Sequence, residues 1–239
     1  MSFITVGGAV YTESQAKAVI AGFAFGTTSL NWSSPPGSVG PPPSASTRGR
    51  WGYRTYDCLP ADTGPLSVAD LSITASIDSR VDGEAILGML GVAPETSEAF
   101  ARIPPWVKFW DLPQGHLASL PPAGTDSSWM FRAWSLLSGV PGVGVAIANK
   151  TLHHKRPWLF PLLDGVTEKA YPLGQAWVHV HRELTTQQPQ FAKLEIWFTD
   201  RAIQHQGTPL WRLRLHDILL WSDLSGARVE AENLGGPFI

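Results

Sequence analysis

The chain has 239 residues, with 18 Lys+Arg against 20 Asp+Glu, a formal net charge of −2, and 44% hydrophobic residues. That apolar share is enough to bury a substantial core, which argues against disorder for most of the chain, and the balanced charge argues against a partner held by bulk positive charge. The single cysteine, Cys58, excludes an intrachain disulfide, a four-cysteine zinc site and a protein-held iron–sulfur cluster.

In chain order, residues 1–11 carry neither a basic start nor a long apolar run, and nowhere do about 18 consecutive apolar residues occur. The expectation is a cytoplasmic protein with no membrane partner. Residues 1–32 read as a short, irregular N-terminal segment. Residues 33–50 hold five Pro, three Gly and five Ser, the composition of an exposed loop, because proline lacks an amide donor and glycine and serine favour turns. From residue 51 to 239 the text alternates helical patterns with Pro/Gly punctuation and shows no convincing strand alternation. Helices are predicted to begin near Ser67, Asp82, Pro94 and Asp126. The last of these places Trp129, Met130, Ala133, Trp134 and Leu137 at helical spacing and stops at Gly139. A further helix is predicted over about 145–154. Residues 189–204 put Phe191, Leu194, Trp197 or Phe198, and Ile203 near one face, and residues 209–224 hold Leu210, Leu213, Ile218, Leu219 and Trp221. The fold class is mainly α.

The stretch that carries chemistry is 129–174. Its centre, Val140-Pro141-Gly142-Val143-Gly144, lies between two helical patterns. A tight Gly-Val-Gly turn lets a partner approach the backbone closely, and free amides at a helix N-terminus form an anion site. Between Ser127 and Leu163 there is no Asp or Glu, while Arg132, Lys150, Lys155 and Arg156 are basic. The natural anion is therefore a nucleic-acid phosphate. Gly142, Val143, Gly144, Lys150, Lys155 and Arg156 are the candidate DNA-binding residues, and Lys155 with Arg156 is expected to contribute about two phosphate contacts to the salt dependence. The competing reading of 153–156 is a solvated helix end whose cations complement the helix dipole.

These residues resemble the helix-hairpin-helix DNA glycosylase superfamily, the group of endonuclease III and 8-oxoguanine glycosylase. The resemblance covers 129–174 alone: the hairpin Val140 to Gly144, Ala148 in the following helix, the apolar Leu159 to Leu163, and Asp164 before the next turn. It implies a helical glycosylase-like bundle, double-stranded DNA as partner with no obligate protein partner, and Asp164 as the catalytic carboxylate. Such a carboxylate opposes the positive charge that builds on the sugar or orients the attacking water. Asp164 also suits a purely structural cap on the turn that follows. Family members that cut the strand carry a lysine two residues after the second glycine; Ala146 stands there, so the resemblance implies a monofunctional enzyme in which water attacks. Lys150, one turn further on the same face, is the alternative amine.

Base extraction needs aromatic faces and a polar edge. Trp51, Tyr53, Tyr56 and Asp57 are candidates, with Tyr56 and Asp57 taken as the base pocket, and Pro105-Trp106 with Trp110 as a second possibility. His153 and His154 point different ways on a helix, and His179, His181 and His205 have no carboxylate or thiol at ligand spacing, so no metal or cofactor is expected. From the range of the superfamily the substrate extends from small repair lesions to hypermodified cytosines, such as the glucosylated bases of phage DNA, which implies DNA repair or antiviral defence. The alternatives are a non-catalytic hairpin module that binds DNA or a protein, and an enzyme acting on free nucleosides.

Overall fold

The computed structural model describes residues 3–26, 51–60, 64–77 and 80–239; the Pro/Gly/Ser-rich stretch 33–50 lies outside the described residues. The described part of the N-terminal segment, 3–26, is regular, contrary to the sequence reading. Strands β1 (Phe3–Val6) and β2 (Ala9–Thr12) pair antiparallel, with Val6 opposite Ala9. Gly7 and Gly8 close them with φ of 56° and 91°, the left-handed values that a two-residue hairpin loop requires. Helix α1 (Glu13–Phe25) starts at a reciprocal capping box, in which the Thr12 hydroxyl accepts from the Gln15 amide and the Gln15 side chain accepts from the Thr12 amide. Nearly every α1 residue from Ala16 onward is buried, so α1 is part of the core.

After a π-helical turn over Tyr53–Asp57 come α2 (Val68–Ala75), α3 (Gly83–Gly91) and α4 (Ala93–Ala101). Their starts follow the predicted signals: Ser67 caps α2, Asp82 caps α3, and Pro94 sits in the first turn of α4. A short turn of helix, α5 (Gly115–Ala118), leads to α6 (Asp126–Ser138), which Thr125 caps and Gly139 ends. Met130, Ala133 and Leu137 form its buried face against α4 and α7 (Val145–Lys155).

The remaining helices are α8 (Ala176–Thr186), α9 (Gln188–Gln204), α10 (Arg212–Leu224) and α11 (Arg228–Gly235). On α9 the buried row is Phe191, Leu194, Phe198 and Ala202; Ile203, expected on that face, is 67% exposed because the row drifts to its neighbour at 3.6 residues per turn. Helix α11 lies against α1 and so ties the C-terminal end to the N-terminal one. The class is mainly α, and among the described residues no helix is long and apolar enough to cross a membrane.

Helix α7 is buried from Ile147 to Lys155, including polar side chains that must therefore find partners inside. The Thr151 and Thr74 hydroxyls meet at 3.0 Å, and His153 Nδ1–H donates to the Phe160 carbonyl at 2.7 Å. Burial pushes the His153 imidazole down to about 3, with the bond to Phe160 opposing. An unfolded histidine takes up a proton near pH 6.5 while the native one refuses it. This contribution to stability is therefore present above pH 6.5 and is lost as pH falls toward 3, amounting to about 2 kcal/mol at pH 5. Denaturant titrations at pH 7 and pH 5 should show that loss, and His153→Asn should shrink it; an equal loss in both proteins would place the sensitivity elsewhere.

Candidate functional site

The hairpin forms as its sequence dictates. The Val143 amide donates to the Val140 carbonyl at 3.0 Å, and both valines are buried, which pins the turn to the core. Gly142 has φ of 79°, a value open to glycine. Pro141, Gly142 and Gly144 face solvent. Gly144 is the N-cap of α7 and offers no side chain to its first amides, and a Cβ added at Gly144 would meet nothing within 4 Å. Among the described residues the start of α7 is thus bare backbone with open space before it, as an anion site requires. The Asp82 carboxylate stands beside Gly142, so the amides after Gly144, not the one at Gly142, are the face suited to a phosphate.

One turn down α7 a cavity of about 670 Å³ opens. Ala146 and Lys150 of α7 form one wall, and Asp164, Gly165 and Val166 form the next. Trp51, Phe23 and Trp221 make an aromatic side, with Phe23 and Trp51 stacked at 5.9 Å and Trp51 edge-on to Trp221 at 6.5 Å. Arg214 and Asp217 of α10 complete the cavity.

The chain matches a family of unknown function, DUF6308, over residues 43–224. It belongs to that DUF6308 family. Comparisons with curated proteins and with solved structures gave no match. The DUF6308 match takes in the hairpin and every cavity residue just named except Phe23, and leaves out α1 and α11.

Within this DUF6308 chain Asp164 is held rigidly. Its Oδ1 accepts from the amides of Val166 and Thr167, each at 2.9 Å, and from the Thr167 hydroxyl at 3.2 Å, while its own amide donates to that hydroxyl at 2.8 Å. The side-chain bonds all run to Oδ1. These bonds to the backbone that leads into the turn over Thr167–Ala170 position the carboxylate at the cavity wall, so the structural and chemical readings of Asp164 are compatible.

Arg214 is the centre of a buried charge cluster. It holds Asp57 through two bonds, Nε to Oδ1 at 2.8 Å and Nη2 to Oδ2 at 2.9 Å, and its Nη1 meets Asp217 Oδ2. Burial raises the Asp57 carboxyl and Arg214 opposes the rise. Burial pushes Asp217 further, up to about 7, with Arg214 opposing and the charge of Asp164 adding to the rise. Asp217 Oδ1 is buried without a hydrogen-bond partner among the described residues and belongs to a side chain on the cavity wall.

Several sequence expectations need correction. Tyr56 and Asp57 are not cavity residues: Tyr56 is fully buried with its hydroxyl on the Lys150 carbonyl at 2.5 Å, and Asp57 is spent on Arg214. They support the wall from behind. Tyr53 is likewise core, donating to the Thr208 carbonyl at 2.6 Å, whereas Trp51 does line the cavity. Lys150 is buried and donates to the Ile77 carbonyl at 2.7 Å, so its ammonium is engaged at the wall and does not reach out to a phosphate. Arg156 is turned inward to the Phe100 carbonyl at 3.2 Å and over the Phe100 ring, and burial lowers its guanidinium. Trp106 is exposed beside a second cavity of about 490 Å³, apart from the hairpin site, and Trp110 lies under Arg212 at 4.3 Å. What the sequence reading missed is Arg214 and Asp217, whose signal was the charged and polar residues Arg212, Arg214, His216 and Asp217 interleaved with the apolar row of α10.

Lys155 is the largest correction. Its side chain is 3% exposed, paired to Asp70 at 2.9 Å and bonded to the carbonyls of Gly64 and Pro65. No counterion is released from such a lysine on binding DNA. Lys155→Met should therefore leave the slope of log affinity against log salt unchanged, yet destabilise the protein by about 3 kcal/mol, because Asp70 is left buried without its cation. Thermal melts and salt titrations check the two halves separately.

Proposed function

We propose that this protein is a monofunctional DNA glycosylase that extrudes a modified base into the 670 Å³ cavity and hydrolyses its bond to deoxyribose, leaving an abasic site. The observation that carries the reading is that Ala146, Lys150 and Asp164 share one cavity at the root of the hairpin helix. The open amides of α7 take a backbone phosphate, which brings the adjoining nucleotide to the cavity mouth. Stacked aromatic rings receive the flipped base. Asp164 opposes the charge that develops at the sugar carbon, and water completes the reaction. Ala146 occupies the wall where a Schiff-base lysine belongs, and a methyl group forms no covalent adduct. The exposed Lys169 at the cavity rim adds positive charge toward DNA.

The volume suits a base with a bulky substituent, since pockets of about 300–1,000 Å³ enclose ligands well above the size of a bare nucleobase. That supports a hypermodified cytosine, and with it a role in defence. The test incubates the protein in excess over genomic DNAs carrying different natural modifications, identifies released bases by mass, and maps alkali-labile breaks. Breaks that vanish in Asp164→Asn, with no adduct trapped by borohydride, support the reading. Retained duplex binding without any released base selects a non-catalytic hairpin module instead.

A further inference from the structure

Asp217 is a buried carboxylate on the cavity wall that the hairpin and Asp164 do not account for. Its side chain is 4% exposed and forms part of the cavity wall, with Oδ2 on Arg214 and Oδ1 without a hydrogen-bond partner among the described residues. One buried guanidinium therefore serves two buried carboxylates. With both ionised the cluster carries a net negative charge in a low-dielectric interior, and a single proton relieves it. Asp57 receives two bonds from Arg214 and Asp217 receives one, so the proton belongs on Asp217. Within Asp217 it belongs on Oδ1, the oxygen that Arg214 does not hold.

Two neighbouring carboxylates act in the same direction. Asp164, from the loop after α7, adds a negative charge across the cavity, and Asp57 adds one from the π-helical turn. The Tyr56 and Tyr171 hydroxyls lie in its field, and burial keeps both phenols protonated. Lys150 and Lys169 also line the cavity, and as cations they act the other way. Burial, opposed by Arg214 and assisted by Asp164, leaves the Asp217 proton with an affinity near neutrality. Such an acid both holds and releases its proton at working pH.

We propose that Asp217 donates the proton that the departing base needs, and that the cavity is consequently built for an uncharged modified base and not for a cationic alkylated one. This rests on the glycosylase reading above. In the step, the bond between C1′ and the base nitrogen breaks and its electron pair goes to the base. The Oδ1 proton of Asp217 passes to a ring nitrogen or carbonyl oxygen of the base, which leaves neutral. Asp164 faces the positive charge at C1′, water adds there and gives a proton to solvent, and Asp217 recovers its own proton from solvent. A cationic base leaves without help, so an acid is redundant for it, and the two lysines oppose its entry. Two carboxyl groups in one cavity divide the work of acid and charge stabiliser, as in other glycoside hydrolysis.

The test compares wild type with Asp217→Asn under single-turnover conditions from pH 5.5 to 8.5. The probes are duplexes carrying uracil, hypoxanthine, 8-oxoguanine or glucosylated 5-hydroxymethylcytosine as neutral bases, and 7-methylguanine as the cationic one. The expected result is release of at least one neutral base, with the rate falling about tenfold per pH unit above pH 7, and a loss of about 10²-fold or more in Asp217→Asn together with that pH dependence. An Asp217→Asn variant that matches wild type in rate and pH profile overturns the proposal, as does release of 7-methylguanine alone. Binding of a duplex with a pyrrolidine abasic-site analogue separates the two readings: it probes the charge at Asp164 without a leaving base. If wild type does not prefer that duplex to an unmodified one, the glycosylase reading fails, and this inference with it. If the preference stands but none of the probes is released, or if Asp217→Asn does not fold, carboxyl ¹³C NMR of wild type decides. An aspartate titrating near neutrality supports the proposal, and titration of every aspartate in the ordinary range overturns it.

Discussion

Asp164→Asn should keep the protein folded and reduce single-turnover base release by about 10²- to 10³-fold, the usual cost of removing one group that opposes charge in a transition state. The substitution is informative because asparagine keeps the shape of the side chain and is itself a good N-cap. Its carbonyl oxygen still accepts from the amides of Val166 and Thr167, which now bond to Oδ1 of the aspartate. The turn over Thr167–Ala170 therefore stays in place, and stability changes by only a few tenths of a kcal/mol. What disappears is the charge.

Asp164→Ala is the complement, removing the cap as well and costing about 1 kcal/mol of stability. If capping is the whole role of Asp164, Asp164→Asn behaves as wild type in every assay and Asp164→Ala loses stability alone. If the carboxylate opposes charge at the sugar, the two variants lose base release to a similar extent although their melting temperatures differ. Duplex affinity measured alongside should change little in Asp164→Asn, because the phosphate contacts proposed above belong to the start of α7.

The parts of this fold that could be read from the sequence are those written in local signals. Ser67, Asp82, Pro94 and Thr125-Asp126 mark helix starts through short-range capping chemistry, and the Gly-Val-Gly turn is fixed by its own backbone requirements. The N-terminal hairpin was harder, because strands of four residues carry too little alternation to stand out, although Gly7-Gly8 was a turn signal in plain view. The charges on α7 misled, and those on α10 went unread, for a different reason. Spacing along a helix tells which residues share a face but not whether that face meets water, and both helices are wrapped by others. Lys155 finds Asp70 and Arg214 finds Asp57 across long stretches of intervening chain, so neither pair leaves a local trace. Hence Asp164 and the hairpin were legible, while Asp217, which completes the cavity, emerges from the packing of α10 against the site.

Gly22→Ala should be the most damaging of the stability changes, and it tests whether α1 is part of the functional body although it lies outside the family match. Helices α1 and α11 approach so closely that a Cβ at Gly22 would overlap the Ala231 carbonyl oxygen, and one at Gly235 would overlap the Ala18 carbonyl oxygen. The obstacle is backbone on both sides, so no rotamer change relieves it and the two helices must part. Overpacking against movable side chains costs about 1–3 kcal/mol; here the separation also loosens the buried α1 row, which places the expected cost at about 4 kcal/mol or more. In a protein of this size that lowers the melting temperature by about 10 °C. Gly91→Ala at the end of α3, where an added Cβ meets nothing within 4 Å, should be neutral or slightly stabilising by comparison. The effect reaches the cavity through the next residue, because Phe23 stacks on Trp51 and supports Arg214, whose guanidinium lies 5.0 Å from the Phe23 ring. Below its lowered melting temperature Gly22→Ala should therefore also lose base release and bind the pyrrolidine duplex less tightly. A variant that melts early but retains both at low temperature would show that α1 stabilises the body without shaping the site.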